Sequence, residues 1–190
     1  MATALSTKDR IRRETLSFVQ RFGFNGFSLQ DIADAVGIKK PSLFEHFKSK
    51  EEMGKEVIRN YREDFFKWTD SQESAPPAKR LAHLFSIFSA FAKDRAKVCP
   101  TTALAADFQT LTPALQKSLQ EAFEAQLEWI EGNVKGAVKS GDFSATLKSE
   151  AHAEMLFSLV LGGQIVARLR GDPQVVARLK ASYMSLLSPK

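Results

Sequence analysis

The sequence predicts an all-α fold of about nine helices, opening on a three-helix head that contains a helix-turn-helix. Three observations carry this. Apolar residues recur at spacings of three and four along most of the chain, the period of one helical face. Glycine, proline or short polar tracts cut those stretches into separate helices. Residues 28–50, SLQDIADAVGIKKPSLFEHFKSK, set two short helical patterns on either side of a glycine turn.

The first helix places Ile11, Thr15, Phe18, Val19 and Phe22 on one face, and the tract GFNGFS at 23–28 ends it. In the second, Leu29, Ile32, Ala33 and Val36 stand at i, i+3, i+4 and i+7, leaving Gln30, Asp31 and Asp34 outward. Ser28 is its expected N-cap, with Asp31 forming a shortened relative of the capping box. Gly37 falls where left-handed backbone redirects the chain, and Ile38 plugs the corner. Pro41 occupies the first turn of the third helix, where no amide donor is needed. Leu43 and Phe47 point inward there, while Ser42, Phe44, Glu45 and His46 point outward. The second helix of such a motif lies in the major groove with its early residues near base edges, so duplex DNA is the expected partner. The alternative is an ordinary pair of core helices. Against it stand Lys39 and Lys40 before the third helix, Lys48 and Lys50 after it, and the supporting first helix.

The charge follows the same division. At 190 residues, 44% hydrophobic and 26% charged, the chain can bury a substantial core in one or two compact units. Residues 1–50 hold nine Lys or Arg against five Asp or Glu, a balance of +4 out of a net +5. Phosphate contact by one end of the chain produces this asymmetry.

Beyond the motif, residues 51–69 read as a long helix with Met53, Val57, Tyr61, Phe65 and Trp68 inward. SQESAPP at 71–77 breaks it, and Leu81, Leu84, Phe85, Phe88 and Phe91 resume the stripe. After KVCPTT at 97–102, a short helix at 103–110 precedes a long one at 113–140 bearing Leu115, Leu119, Phe123, Leu127, Ile130 and Val134. The last two helices span 147–170 and 173–187, separated by Gly171, Asp172 and Pro173. Gly162 and Gly163 inside the first of these cost roughly 1 kcal/mol each against alanine, which the close approach of a partner helix would offset; a local kink is the alternative. Of the fifteen phenylalanines, those after Phe65 are candidates for an apolar effector pocket, although plain core explains most of them.

The run RFGFNGFSLQDIADAVGIKKPSLFEHFKSKEEM resembles the TetR family of bacterial transcriptional repressors. The family's elements are an aromatic-glycine break, a threonine or serine, an IA helix, a GV turn, a short helix ending in an aromatic pair, and KSKE opening a fourth helix. The resemblance covers about residues 8–61 and implies a helix-turn-helix DNA-binding domain at 1–50. It implies a helical effector-binding and dimerisation domain at 51–190, whose final two helices form a four-helix interface in a homodimer. The homodimer would bind a near-palindromic operator and be released by a small apolar or electrophilic effector. Position by position, Ser28 would cap the second helix and touch a phosphate. Lys39, Lys40 and Ser42 would begin the recognition helix, and Lys50 would meet the DNA backbone. Tyrosines of the family pattern are replaced by Phe44, which can press on a thymine methyl, and by His46, which can donate to phosphate. Lys39 stands in place of a small hydroxyl cap.

Cys99, the single cysteine, lies in KVCPTTALAAD with Arg95 and Lys97 nearby and a predicted helix ahead of it, a setting that favours thiolate. It resembles the position of the sensing cysteine in the electrophile-responsive, N-ethylmaleimide repressor-like subgroup of the family. There, a basic residue after L-G-x-x-x-x-A supports the thiol. LGGQIVAR places Arg168 at that point, where lysine is the expected residue. An inert buried cysteine is the competing reading.

Other function classes find less support. His46, His83 and His152 are scattered, and neither a nucleophile triad, a phosphate loop nor a metal-binding motif occurs, so no catalytic residue, metal or cofactor is expected. A helical small-molecule carrier without DNA-binding activity is the alternative function. The charged amino end is not a secretory signal, and the longest nearly apolar stretch, 155–167, is short of the roughly 20 residues of a membrane span. A cytoplasmic location away from membranes is expected.

Overall fold

A computed structural model describes residues 5–94, 96–144, 146 and 148–187. Arg95 and Leu147 lie outside the described residues. Among the described residues there are nine α-helices and no strand: α1 Thr7–Phe22, α2 Leu29–Val36, α3 Lys40–Phe44, α4 Lys50–Ser71, α5 Pro77–Lys93, α6 Pro100–Ala106, α7 Pro113–Lys139, α8 Ser149–Arg170 and α9 Val175–Leu187. A 3₁₀ turn, Phe108–Thr110, follows α6, so the helix expected at 103–110 begins earlier and breaks at Asp107. Proline opens α6, which suits its missing amide donor.

The chain forms two compact units. One comprises residues 1–63 and 100–122, the other 64–99 and 123–190.

In the first unit, Ile11 and Val19 of α1, Ile32, Ala33 and Val36 of α2, Leu43 of α3, Phe47, and Met53 and Val57 of α4 are buried. Phe22 departs from the expected inward stripe: it is 56% exposed and leans on Phe18, ring centroids 5.5 Å apart, while Gln20 is buried. Helix α2 is locally closed at both ends. Ser28 accepts from the Asp31 amide at 3.3 Å, and the Asp31 carboxylate accepts from the Ser28 amide at 2.6 Å. Gly37 takes φ 74° and ψ 40°, the left-handed corner between α2 and α3. Arg10 of α1 donates to the Val36 carbonyl, placing a cation at the carboxyl end of α2.

Removing the capping hydroxyl is the mildest test of this head. Ser28→Ala is expected to lower stability by about 1 kcal/mol, read from the midpoint of denaturant unfolding. The hydrogen bonds from the Ser28 amide and hydroxyl hold Asp31 below the usual carboxylate range. That contribution is complete above the ordinary carboxylate pKa and fades on acidification through the lowered one.

In the second unit, α5, α8 and α9 pack on one another through Leu81, Leu84, Phe85 and Phe88, Leu156, Phe157 and Val160, and Val176, Tyr183 and Leu187. Gly163 is explained by this packing: a Cβ there would meet Leu179 Cδ1 at 2.8 Å. At Gly162 a Cβ would meet nothing within 4 Å. The phenol of Tyr183 donates to the His152 carbonyl at 2.7 Å, and burial pushes its pKa up. On α7, Phe123 and Leu127 are only half-buried, whereas Gln126 and Asn133 are buried at 1% and 6% exposure. Asn133 donates to the Trp129 carbonyl at 2.8 Å, and among the described residues neither amide atom of Gln126 has a hydrogen-bond partner.

Candidate nucleic-acid interface

The amino end of α3 is an open, charged edge of the first unit. Lys39 is its N-cap residue, exposed and without a side-chain capping bond, as expected for a lysine where a hydroxyl would cap. Lys40 is exposed, Ser42 and His46 are half-buried, and Phe44 shows 46% of its surface on the outward side. Leu43, 0% exposed, and Phe47, 2% exposed, anchor the opposite side. A five-residue helix pinned by two apolar side chains presents its first turn without bending. Among the described residues, Lys39, Lys40 and Lys48 enter no ion pair, whereas Arg12 is paired to Asp9 at 2.8 Å and to Glu56 of α4 at 2.5 Å. Arg10 and Arg12 therefore help to hold the head together, and Lys39, Lys40 and Lys48 remain exposed.

Ser28 and Lys50 are placed differently from Lys39 and Lys40. The Ser28 hydroxyl is exposed but also donates to Asp31 at 2.7 Å. The Lys50 ammonium donates to the Phe27 carbonyl and lies 4.0 Å from the Phe27 ring centroid and 4.9 Å from that of Phe24. Burial lowers its pKa, opposed by the charges of Asp107 and Asp31.

Sequence reasoning missed a group beside these rings. Asp107, just after α6, accepts from the amides of Phe24 at 2.6 Å and Asn25 at 3.2 Å, and from Asn25 Nδ2 at 3.1 Å. No periodicity links positions more than eighty residues apart, so only the three-dimensional fold reveals the pairing.

In the second unit, Cys99 is 0% exposed and its amide donates to Gln164 Oε1 of α8 at 2.7 Å. Arg168 donates to the Ala96 carbonyl at 2.9 Å, so both predicted sensing residues belong to one corner around segment 96–99. Lys97 pairs with Asp94 at 3.8 Å. A groove of about 510 Å³ runs along α7 and α8, floored by Phe123, Leu127 and Phe157 and walled by Glu124, Glu128, Glu131, Glu150 and Glu154. The Phe123 and Phe157 rings stack at 5.0 Å. Its glutamate walls distinguish it from the apolar pocket expected of the phenylalanines. Among the described residues, no cluster of three or more His, Cys, Asp or Glu is placed to hold a metal, and no helix is long and apolar enough to cross a membrane.

Residues 11–57 match the family of bacterial regulatory proteins, tetR family, and residues 77–183 match the tetracyclin repressor-like C-terminal domain. The chain belongs to the TetR family. Like other TetR-family chains, it thus carries a regulator's helix-turn-helix ahead of a helical carboxyl-terminal region. The HTH-type transcriptional repressor DhaR of Mycobacterium sp. strain GP1 is 33% identical over 79 residues, 40% of this chain and 39% of DhaR. The match thus spans about two fifths of that relative's length. A TetR transcriptional regulator from Legionella pneumophila is 28% identical with a TM-score of 0.86, covering 99% of this chain and 100% of that one. A TetR-family regulator from Agrobacterium tumefaciens shares the fold with a TM-score of 0.91 at 22% identity, over 96% of this chain and 98% of that one.

Proposed function

We propose that this chain is a transcriptional repressor that binds a near-palindromic operator as a homodimer and is released by a small apolar or electrophilic effector. The observation that carries the reading is the amino end of α3: exposed Lys39 and Lys40 without ion-pair partners among the described residues, next to an outward Phe44. The lysines are suited to phosphates, and Ser42 and Phe44 to base edges and a thymine methyl. His46 and Ser28 are assigned to phosphates beside them, and Lys50 to the backbone edge at the start of α4. Residues 1–50 form the DNA-binding part and 51–190 the effector-binding and dimerisation part. The naming of DhaR as a repressor supports repression as the outcome.

Dimerisation is assigned to an apolar stripe on α8. Met155, Ile165, Val166 and Leu169 are 46%, 45%, 42% and 80% exposed, Gly162 lies between them with open space at its Cβ, and Leu186 of α9 is 74% exposed. Such a self-complementary face suits a twofold interface, and two heads on one axis read two half-sites. For the effector, the buried amide of Gln126, without a hydrogen-bond partner among the described residues, supports a ligand site inside the second unit, because native structures rarely leave such groups unsatisfied.

The deciding experiment is selection of bound duplexes from random DNA by the full chain, repeated with N-ethylmaleimide and with a panel of apolar compounds. A two-half-site sequence whose binding weakens with salt supports the repressor. Failure to enrich any duplex, together with binding of a panel compound, supports the carrier. The burial of Cys99 sets a further expectation: in the native chain its alkylation by N-ethylmaleimide proceeds on the order of a hundredfold slower than in urea, measured by mass spectrometry. If Cys99→Ser still leaves the operator when treated with the reagent, the cysteine is not the sensor.

A further inference from the structure

Four hydrogen bonds join the tract between α1 and α2 to a segment far along the chain. Besides the three accepted by Asp107, Asn25 Nδ2 donates to Thr110 Oγ1 at 2.6 Å. Gly23 permits the approach in two ways. It takes φ 75°, a conformation that side chains rarely adopt, and a Cβ there would meet Asp107 Oδ2 at 2.7 Å. The same carboxylate attracts the Lys50 ammonium, which sits over Phe24 and Phe27 and holds the Phe27 carbonyl just before Ser28.

We propose that Asp107 is a positioning residue for operator binding, the point through which the end of α6 fixes the α1–α2 turn and with it the register of the helix-turn-helix. This rests on the DNA-binding reading above. The physical reason is geometric. Two backbone amides and one side-chain amide converge on one carboxylate, so the turn has a single low-energy setting while Asp107 is in place. Without it the donors turn to water, and the entry to α2 samples several settings, of which the groove accepts a fraction. The apolar core beneath α2 and α3, from Ile11 to Phe47, is untouched by the carboxylate and keeps the head folded. Asp107 directs no atom at DNA; it acts through Phe24, Asn25 and Lys50.

The test is a double-mutant cycle on the full chain with a duplex selected by the parent protein, run well below the unfolding temperature. Asp107→Ala is expected to weaken binding about tenfold and Asn25→Ala by less, since it leaves both backbone amides on Asp107, and the double variant should fall short of the product of the two because both remove the bond from Asn25 Nδ2 to Asp107. Backbone amides of Phe24 and Asn25 should exchange hydrogen faster in Asp107→Ala while those of α2 keep parent protection. The slope of affinity against salt should stay at the parent value, because no phosphate contact is removed. Parent affinity in Asp107→Ala, or effects that multiply in the double variant, would overturn the proposal and leave the repressor reading standing. Should the parent chain select no duplex at all, both fall together.

Discussion

Val166→Glu combined with Leu169→Glu is expected to leave single-subunit particles and to weaken operator binding by at least about a hundredfold. The reasoning starts from exposure. Both side chains face outward, Leu169 with 80% of its surface open, so two carboxylates there add little strain to a lone subunit. Across a twofold axis each glutamate meets its own copy or the other, and like charges on a dehydrating apolar face oppose association. Losing the dimer uncouples the two heads, and the second no longer binds at the high effective concentration that the first provides. Sedimentation or light scattering reads the assembly, and titration of a labelled two-half-site duplex reads the affinity. A variant that stays dimeric, or that is monomeric and binds with parent affinity, removes the assignment of this face.

The second large effect is expected at the start of α3. Lys39→Ala with Lys40→Ala should reduce affinity by about tenfold to a hundredfold at moderate salt and lower the slope of log affinity against log salt by about 1.8, two phosphate contacts at roughly 0.9 each. The fold should be unaffected, because both lysines are exposed and Lys39 makes no capping bond. Discrimination among selected duplexes should change little, since phosphate contacts position the head and base contacts carry sequence information. An unchanged salt slope would place the DNA elsewhere on the molecule.

The motif was legible because its determinants are local. Ser28, Gly37, Pro41 and the Leu43–Phe47 pair each act on neighbours within a few residues, and the sequence shows them in order. Gly162 and Gly163 gave a signal of another kind, the close approach of a partner helix: at Gly163 a Cβ would meet Leu179 of α9 in the same chain, and at Gly162 it would meet nothing within 4 Å. Periodicity misled where burial depends on distant partners. Gln126 looks like a surface residue on α7 but is enclosed, while Phe123 and Leu127 look like core and line a groove. Lys50 reads as a surface cation, yet aromatic rings arriving from the α1–α2 tract cover it. The link between residues 23–25 and 107–110 was illegible for the plainest reason: no spacing rule reaches that far.

The reciprocal bonding of Ser28 and Asp31 bears on how tightly a DNA strand can hold that corner. The donors at the amino end of α2 already face a tethered anion, which occupies the station an incoming backbone oxygen would claim. Under the proposed contact of Ser28 with a phosphate, strand binding at this point would be an exchange of one anion for another, worth far less than filling a vacant cradle. On the proposed DNA-binding reading, net attraction comes from the exposed Lys39, Lys40 and Lys48, and the α2 end contributes alignment of the strand more than strength of grip.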